Sequence, residues 1–180
     1  MPELVVRIKK NSDGSASLTC TRADGTATWQ RQEGKLGAIF PLHDLTHFAV
    51  ESALGYTNAF YGLVADGWNL TDFSQPWPRG LPPTEARQVE NLVSGFEMEG
   101  IHGAARADDY NARVAERLEA AAAVPGRSVP GQRRLSDEEI ERVRRLRADL
   151  IARWKAVKPG EAMELEFDRR SNARLAAETA

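Results

Sequence analysis

The 180-residue sequence has few of the features that define several common protein classes. It contains a single cysteine, Cys20, so it cannot build an internal disulfide framework. No apolar run approaches the roughly 20 residues that a helix needs to cross a bilayer, and the N-terminus lacks the apolar block of a signal peptide. We therefore expect a cytoplasmic protein that does not enter a membrane.

The charge balance shows no excess of one sign. Lysine and arginine number 24 against 26 aspartate and glutamate residues, which gives a formal net charge of −2. Proteins whose main task is to coat nucleic acid are usually strongly basic, so we expect no nucleic-acid partner. The sequence also lacks a glycine-rich phosphate loop, a Gly-x-Ser-x-Gly elbow and a Cys-x-x-Cys pair.

The hydrophobic pattern changes near residue 40. Before it, residues 4–9 are rich in β-branched side chains, and residues 15–21 and 26–30 alternate between apolar and polar positions. Such segments, separated by turns that contain Asn, Asp and Gly, predict an antiparallel meander within residues 2–40. The same alternation in residues 163–167 predicts a fourth strand at the edge of this sheet.

The rest of the chain is predicted to be mostly helical. Apolar residues at helical spacing, with Pro and Gly near the segment ends, predict a helical layer over residues 41–124 and a long helix within 135–156. Residues 125–134 are predicted to be a linker, and residues 169–180 a tail. The prediction is one α+β domain, with an antiparallel sheet of about three or four strands packed on about four or five helices. The individual helices are predicted at 41–54, 57–66, from 84 onward, at 107–124 and at 135–156.

The last of these helices carries a clear start signal. Ser136 followed by Glu139 is a capping box, in which each side chain satisfies a free N–H at the helix start. We expect this helix to project from the body or to form a hairpin with residues 107–124. Its exposed surface is the predicted contact of a homodimer.

Two of the three histidines lie four residues apart, in the segment His43-Asp44-Leu45-Thr46-His47. On a helix, positions i and i+4 differ by about 40° around the axis, so the two imidazoles can bind one divalent ion. Glu51 continues the same stripe and is a candidate third ligand, or an acceptor that orients an imidazole. Zinc is the first candidate for the ion, and either Asp44 or Glu51 is the candidate proton acceptor for metal-assisted hydrolysis.

The segment resembles the His-Glu-x-x-His signature of zinc metalloproteases. In that family the two histidines bind zinc and the glutamate is the general base. The resemblance implies ligand roles for His43 and His47 and the role of base for Asp44, whose side chain is one methylene shorter than that of glutamate.

His102 is the third histidine and a further candidate ligand. Glu99 and His102 have the i, i+3 spacing of the Glu-x-x-His element in helical carboxylate metal sites. If their helix lay beside residues 43–51, one cavity would collect imidazoles and carboxylates from both segments. Such nitrogen and oxygen donors favour zinc, iron, manganese or nickel over calcium.

A second hypothesis gives these histidines no chemical role. The predicted helix is apolar on both faces, which is typical of a buried helix, and buried histidines often only hydrogen-bond to a carboxylate or a carbonyl. The protein would then be a non-enzymatic interaction or oligomerisation protein with structural histidines.

Overall fold

The computed structural model describes residues 2–123 and 130–172. Part of the predicted linker, residues 124–129, and most of the predicted tail, residues 173–180, lie outside the described residues. The strands and helices are β1 (Leu4–Lys10), β2 (Ala16–Arg22), β3 (Ala27–Gln32), α1 (Gly34–Leu54), α2 (Phe60–Ala65), a 3₁₀ turn (Leu70–Phe73), α3 (Thr84–His102), α4 (Ala107–Ala122), α5 (Asp137–Ala156) and β4 (Ala162–Phe167).

The four strands form one antiparallel sheet in the order β3-β2-β1-β4. Val6 of β1 lies opposite Cys20 on one side and Leu165 of β4 on the other, so these buried side chains share one face. Side chains alternate between the two faces of a strand, and the buried face is therefore continuous across the three strands. The α+β class and the fourth strand beside β1 are confirmed.

Helix α1 lies at the centre of the helical layer, between the sheet, α3 and α5. The prediction that it begins at Pro41 is wrong, because the helix starts at Gly34 and holds Pro41 in its interior. Residue i−4 from this proline is Gly37, where a Cβ would approach the Gln32 carbonyl oxygen to 2.8 Å. Glycine thus lets this extra helical segment pack closely on the end of β3.

The remaining helices differ from the predictions mainly at their ends. Helix α2 is shorter than the predicted 57–66, because the backbone N–H groups of Thr57 and Asn58 donate to the Glu85 carboxylate at 2.8 and 2.6 Å. Helix α3 begins at Thr84 as predicted, continues past Gly100 and ends at His102. Residues 130–134 have no regular structure, and 169–172 form a helical turn.

Helix α5 does not project, and it is not paired along its length with α4. It packs along α1 and buries its own apolar stripe there, whereas α4 packs on α3. A projecting helix would expose this apolar stripe to water, which costs free energy. Burial of the stripe against α1 avoids that cost. The homodimer through this helix stays a prediction. The buried residues of the stripe are Ile140, Val143, Leu150 and Trp154.

The capping box at the start of α5 is present and supplies a first prediction. The Glu139 N–H donates to Ser136 Oγ at 3.2 Å, and the Ser136 N–H donates to Glu139 Oε2 at 2.9 Å. Ser136→Ala is expected to lower the free energy of unfolding by about 1 kcal/mol in urea denaturation, because one N–H loses its acceptor. Ser12→Ala, in an exposed turn, is the control. A loss no larger than that of the control would contradict a stabilising cap.

Within residues 2–123 and 130–172, no helix has both the length and the apolar character needed to cross a membrane.

Candidate metal centre

His43 and His47 lie one turn apart on α1 and both line a cavity. Their ring centroids are 4.7 Å apart and the ring planes meet at 73°. His43 is partly buried, and the side chain of His47 is only 6% exposed. The helix therefore brings two imidazoles to one place, as the four-residue spacing predicts.

Helix α3 supplies a carboxylate to each imidazole. His47 Nε2 is 3.0 Å from Glu90 Oε2, and His43 Nδ1 is 2.9 Å from Glu97 Oε1. The histidine that comes later in α1 pairs with the glutamate that comes earlier in α3, so the two helices run in opposite directions. Seven residues make close to two helical turns, which places Glu90 and Glu97 on one face of α3.

His43, His47 and Glu90 form a group that is close enough to hold a metal ion. One ligand atom from each residue lies within 4.8 Å of the others. Because His43 uses Nδ1 for Glu97, its Nε2 remains available to a metal. The Glu90 side chain is 53% exposed, so the group is open on its outer side. Two imidazoles and one carboxylate with an open side are typical of catalytic metal sites.

Glu51 lies on the other side of the His47 ring. Its Oε1 is 3.5 Å from His47 Nδ1, and Oε2 accepts the N–H groups of Tyr61 at 2.9 Å and Gly62 at 3.4 Å. Among the described residues, neither His47 Nδ1 nor Glu51 Oε1 has another hydrogen-bond partner. Glu51 is completely buried. The structure thus places this carboxylate where it orients an imidazole, apart from the three candidate ligands.

These contacts change the pKa values of the groups involved. Burial alone would lower the pKa of His47, but the carboxylates of Glu51 and Glu90 outweigh burial and raise it to about 10. Burial raises the pKa of Glu51. Burial also acts to raise the pKa of Glu90, but the hydrogen bond and the positive charge of His47 together have the larger effect, and the pKa is lowered. The His47 ring is therefore an imidazolium at neutral pH when no metal is bound.

Asp44 also lines the cavity, beside the two histidines. It is 4% exposed, and burial raises its pKa to about 7 despite the opposing effect of His43 and His47. Of the two candidate proton acceptors, Asp44 is thus the one that borders the cavity.

The cavity in front of the imidazoles has a volume of about 760 Å³. This is within the range of roughly 300–1,000 Å³ that small-molecule sites occupy. The two histidines line this cavity, and much of its remaining lining is apolar. The aromatic residues that line it are Phe40, Phe60, Phe73 and Trp77.

The structure does not bring His102 into this group. His102 is exposed in the last turn of α3, twelve residues beyond Glu90, which corresponds to about 18 Å along a helix. Glu99, its predicted companion, instead pairs with Arg144 of α5 at 2.5 Å. Helix α3 does lie beside α1, as the hypothesis required, but it presents glutamates in place of the Glu-x-x-His element.

Sequence reasoning missed Glu90 and Glu97, although a signal for them exists. Both glutamates adjoin the apolar stripe of the helix predicted from Thr84, and their seven-residue spacing keeps them on one face. What the sequence lacks is any indication that this face meets His43 and His47. His47 and Glu90 are 43 residues apart in the sequence, and His43 and Glu97 are 54 residues apart.

The fold and the geometry together define an α+β protein with a candidate two-histidine, one-carboxylate metal centre facing a cavity. Comparisons with protein-family models, with curated proteins and with solved structures gave no match to this chain.

Proposed function

We propose that this protein binds one divalent transition-metal ion through His43, His47 and Glu90, and that the ion activates water to hydrolyse a small ester or amide in the cavity. One observation carries the proposal. The two imidazoles and the carboxylate converge, while the Nδ1 atom of each imidazole faces a second carboxylate. Metal-binding histidines almost always have such an outer partner, because it fixes the tautomer and the ring orientation.

The donor set supports zinc as the ion to test first. Imidazole nitrogen and carboxylate oxygen suit zinc, iron, copper and nickel, whereas calcium and magnesium prefer oxygen alone. Catalytic zinc usually has three protein ligands and keeps a fourth position for water. A metal on the cavity side of this group has space for that water.

The balance of charge is compatible with a bound cation. Four carboxyl groups surround two imidazoles, and they come from Asp44, Glu51, Glu90 and Glu97. Even with Asp44 protonated and both imidazoles charged, three carboxylates would face two positive charges. A divalent ion between two neutral imidazoles carries the same charge of +2 as two imidazoliums, so the ion can replace both protons without leaving the carboxylates less compensated.

A divalent ion held by His43, His47 and Glu90 would supply hydroxide near neutral pH. Asp44 would accept the proton lost by the water that attacks the carbonyl carbon of the substrate. As the bond from that carbon to the leaving group broke, Asp44 would pass the proton to the leaving group, so that an acid and an alcohol or amine would result. Glu51 is sealed behind His47 and takes no part in this transfer.

The competing hypothesis is that the histidines only join α1 to α3. The ion pairs of His43 with Glu97 and of His47 with Glu90 support it, because each ring already has a carboxylate partner. In this case the protein has no metal, and losing a histidine affects stability alone.

Metal uptake decides between the two hypotheses. Purified protein is stripped with chelator, titrated with zinc by calorimetry, and assayed for bound metal by mass spectrometry. We expect about one zinc per chain for the unaltered protein. Replacing His43, His47 or Glu90 by Ala should weaken binding by more than the roughly 10–100-fold that removal of an outer partner costs.

His102→Ala is the matched control, because it removes an exposed histidine outside the group. It should leave zinc affinity unchanged. Uptake that survives His47→Ala, or that disappears in His102→Ala, would contradict the proposed ligand set. No zinc binding by the unaltered protein would leave the structural hypothesis in its place.

A further inference from the structure

The cavity has a composition that restricts what can fill it. Among the described residues that line it, the ionisable side chains are the metal group, Asp44 and Arg87, which lies one turn before Glu90 on α3. Most of the rest of the lining is aromatic or aliphatic. A ligand therefore meets polar groups at one end and carbon-rich walls along most of its length.

An aromatic row extends from the metal group along one wall of the cavity. The His47 and Phe60 ring centroids are 5.2 Å apart, those of Phe60 and Phe73 are 4.7 Å apart, and those of Phe73 and Trp68 are 5.3 Å apart. Phe60 and Phe73 line the cavity directly. Rings at these separations support one another and form a stiff apolar surface that begins at a metal ligand.

Trp77 lines the same cavity in an unusual backbone conformation. Its φ angle is 51°, in the left-handed region that side chains other than glycine rarely adopt. Arg79 holds the adjoining loop, because its Nε donates to Asp72 at 2.7 Å and its guanidinium also donates to the Gly67 carbonyl at 2.9 Å. Strain of this kind persists only where surrounding contacts impose it, and it concentrates at ligand sites.

We propose that the ligand of this cavity is a small molecule with a planar apolar body and an oxygen donor at one end. The oxygen binds the metal ion, and the planar body lies along Phe60 and Phe73 beneath Trp77. This inference rests on the proposed metal site for the position of the oxygen. The aromatic wall and the cavity volume support the planar body independently.

Two hydroxamates test the planar body on the zinc-loaded protein. Acetohydroxamate and benzohydroxamate carry the same metal-binding group and differ in a methyl or a phenyl substituent. Benzohydroxamate is expected to bind at least about tenfold more tightly in calorimetry, because only its ring is buried against the aromatic wall. Equal affinities would overturn the inference.

Phe73→Ala tests whether the tighter binding of benzohydroxamate arises at the aromatic wall. It should remove most of the preference for benzohydroxamate and leave acetohydroxamate affinity within about twofold. If this variant does not fold, Leu81→Ala replaces it, because Leu81 lines the cavity and is 50% exposed. Trp29→Ala is the control, since Trp29 is 67% exposed and lies outside the cavity lining. A preference that persists in the cavity variant would also overturn the inference.

Failure of the metal site is distinguishable from failure of this inference. If the protein takes up no zinc, the proposed function fails, and metal-free protein is then titrated with 2-naphthol, which is planar and needs no metal. Binding that is lost in Phe73→Ala supports the planar body. No binding to the unaltered protein overturns it.

Discussion

Glu51→Ala is expected to lower the free energy of unfolding of the metal-free protein by about 3–5 kcal/mol. The carboxylate is completely buried, and it accepts two backbone N–H groups from the start of α2 while it faces the charged His47 ring. Alanine would leave both donors and a buried imidazolium without this acceptor, and it would open a cavity in the core. Urea denaturation in the presence of chelator measures the loss.

Two further variants serve as comparisons for Glu51→Ala. Glu97→Ala removes the carboxylate from the other imidazole, but the Glu97 side chain is 37% exposed, so we expect a loss below about 1 kcal/mol. Glu51→Gln retains an oxygen acceptor for Tyr61 and Gly62 and should fall between the two. A loss in Glu51→Ala that only equals that of Glu97→Ala would show that the buried carboxylate does not anchor His47.

The strands and most of the helices could be predicted because their signals are local. β-Branched residues mark β1, alternation of apolar and polar residues marks β2 and β4, and the Ser136 cap marks the start of α5. The start of α1 could not be predicted from a local signal. Pro41 is normally a helix-start residue, and the close contact of Gly37 with the end of β3, which accompanies the earlier start, is not indicated by the sequence pattern.

Only the two histidines of the candidate site could be predicted from the sequence. His43 and His47 belong to one helix, so their spacing alone brings them together. Glu90 joins them only because α3 packs antiparallel to α1, and this packing is decided by the apolar residues of both helices and not by the glutamates. Recognisable spacings in the sequence favoured Glu51 and His102 as ligands, whereas Glu90, the carboxylate beside the imidazoles, comes from a distant segment with no motif.

In the metal-free protein, the free energy of unfolding is expected to fall as the pH rises from 7 toward 10, with His47 as the main cause. The pKa of His47 is about 10 in the fold against an ordinary value of 6.5. A raised folded-state pKa gives stabilisation that is complete below pH 6.5 and is lost as the pH rises through about 10. The slope contributed by this one group is at most about 1.4 kcal/mol per pH unit.

His47→Gln isolates this contribution. Glutamine does not titrate, so the stability of the variant should change less between pH 7 and 9, and the difference between the two curves reports His47 alone. Urea denaturation at a series of pH values, with chelator present, provides both curves. Parallel curves would contradict a strongly raised pKa for His47.

Zinc is expected to cancel most of the His47 contribution to this dependence. An imidazolium cannot bind a metal, so zinc must displace the His47 proton, and the apparent zinc affinity should rise by up to about tenfold per pH unit. At a fixed, limiting zinc concentration, the stabilisation that zinc provides should therefore grow between pH 6.5 and 8.5, where the metal-free protein weakens. A structural ion pair between His47 and Glu90 predicts the same falling curve with and without zinc, so a curve that zinc flattens would separate a metal ligand from a structural histidine.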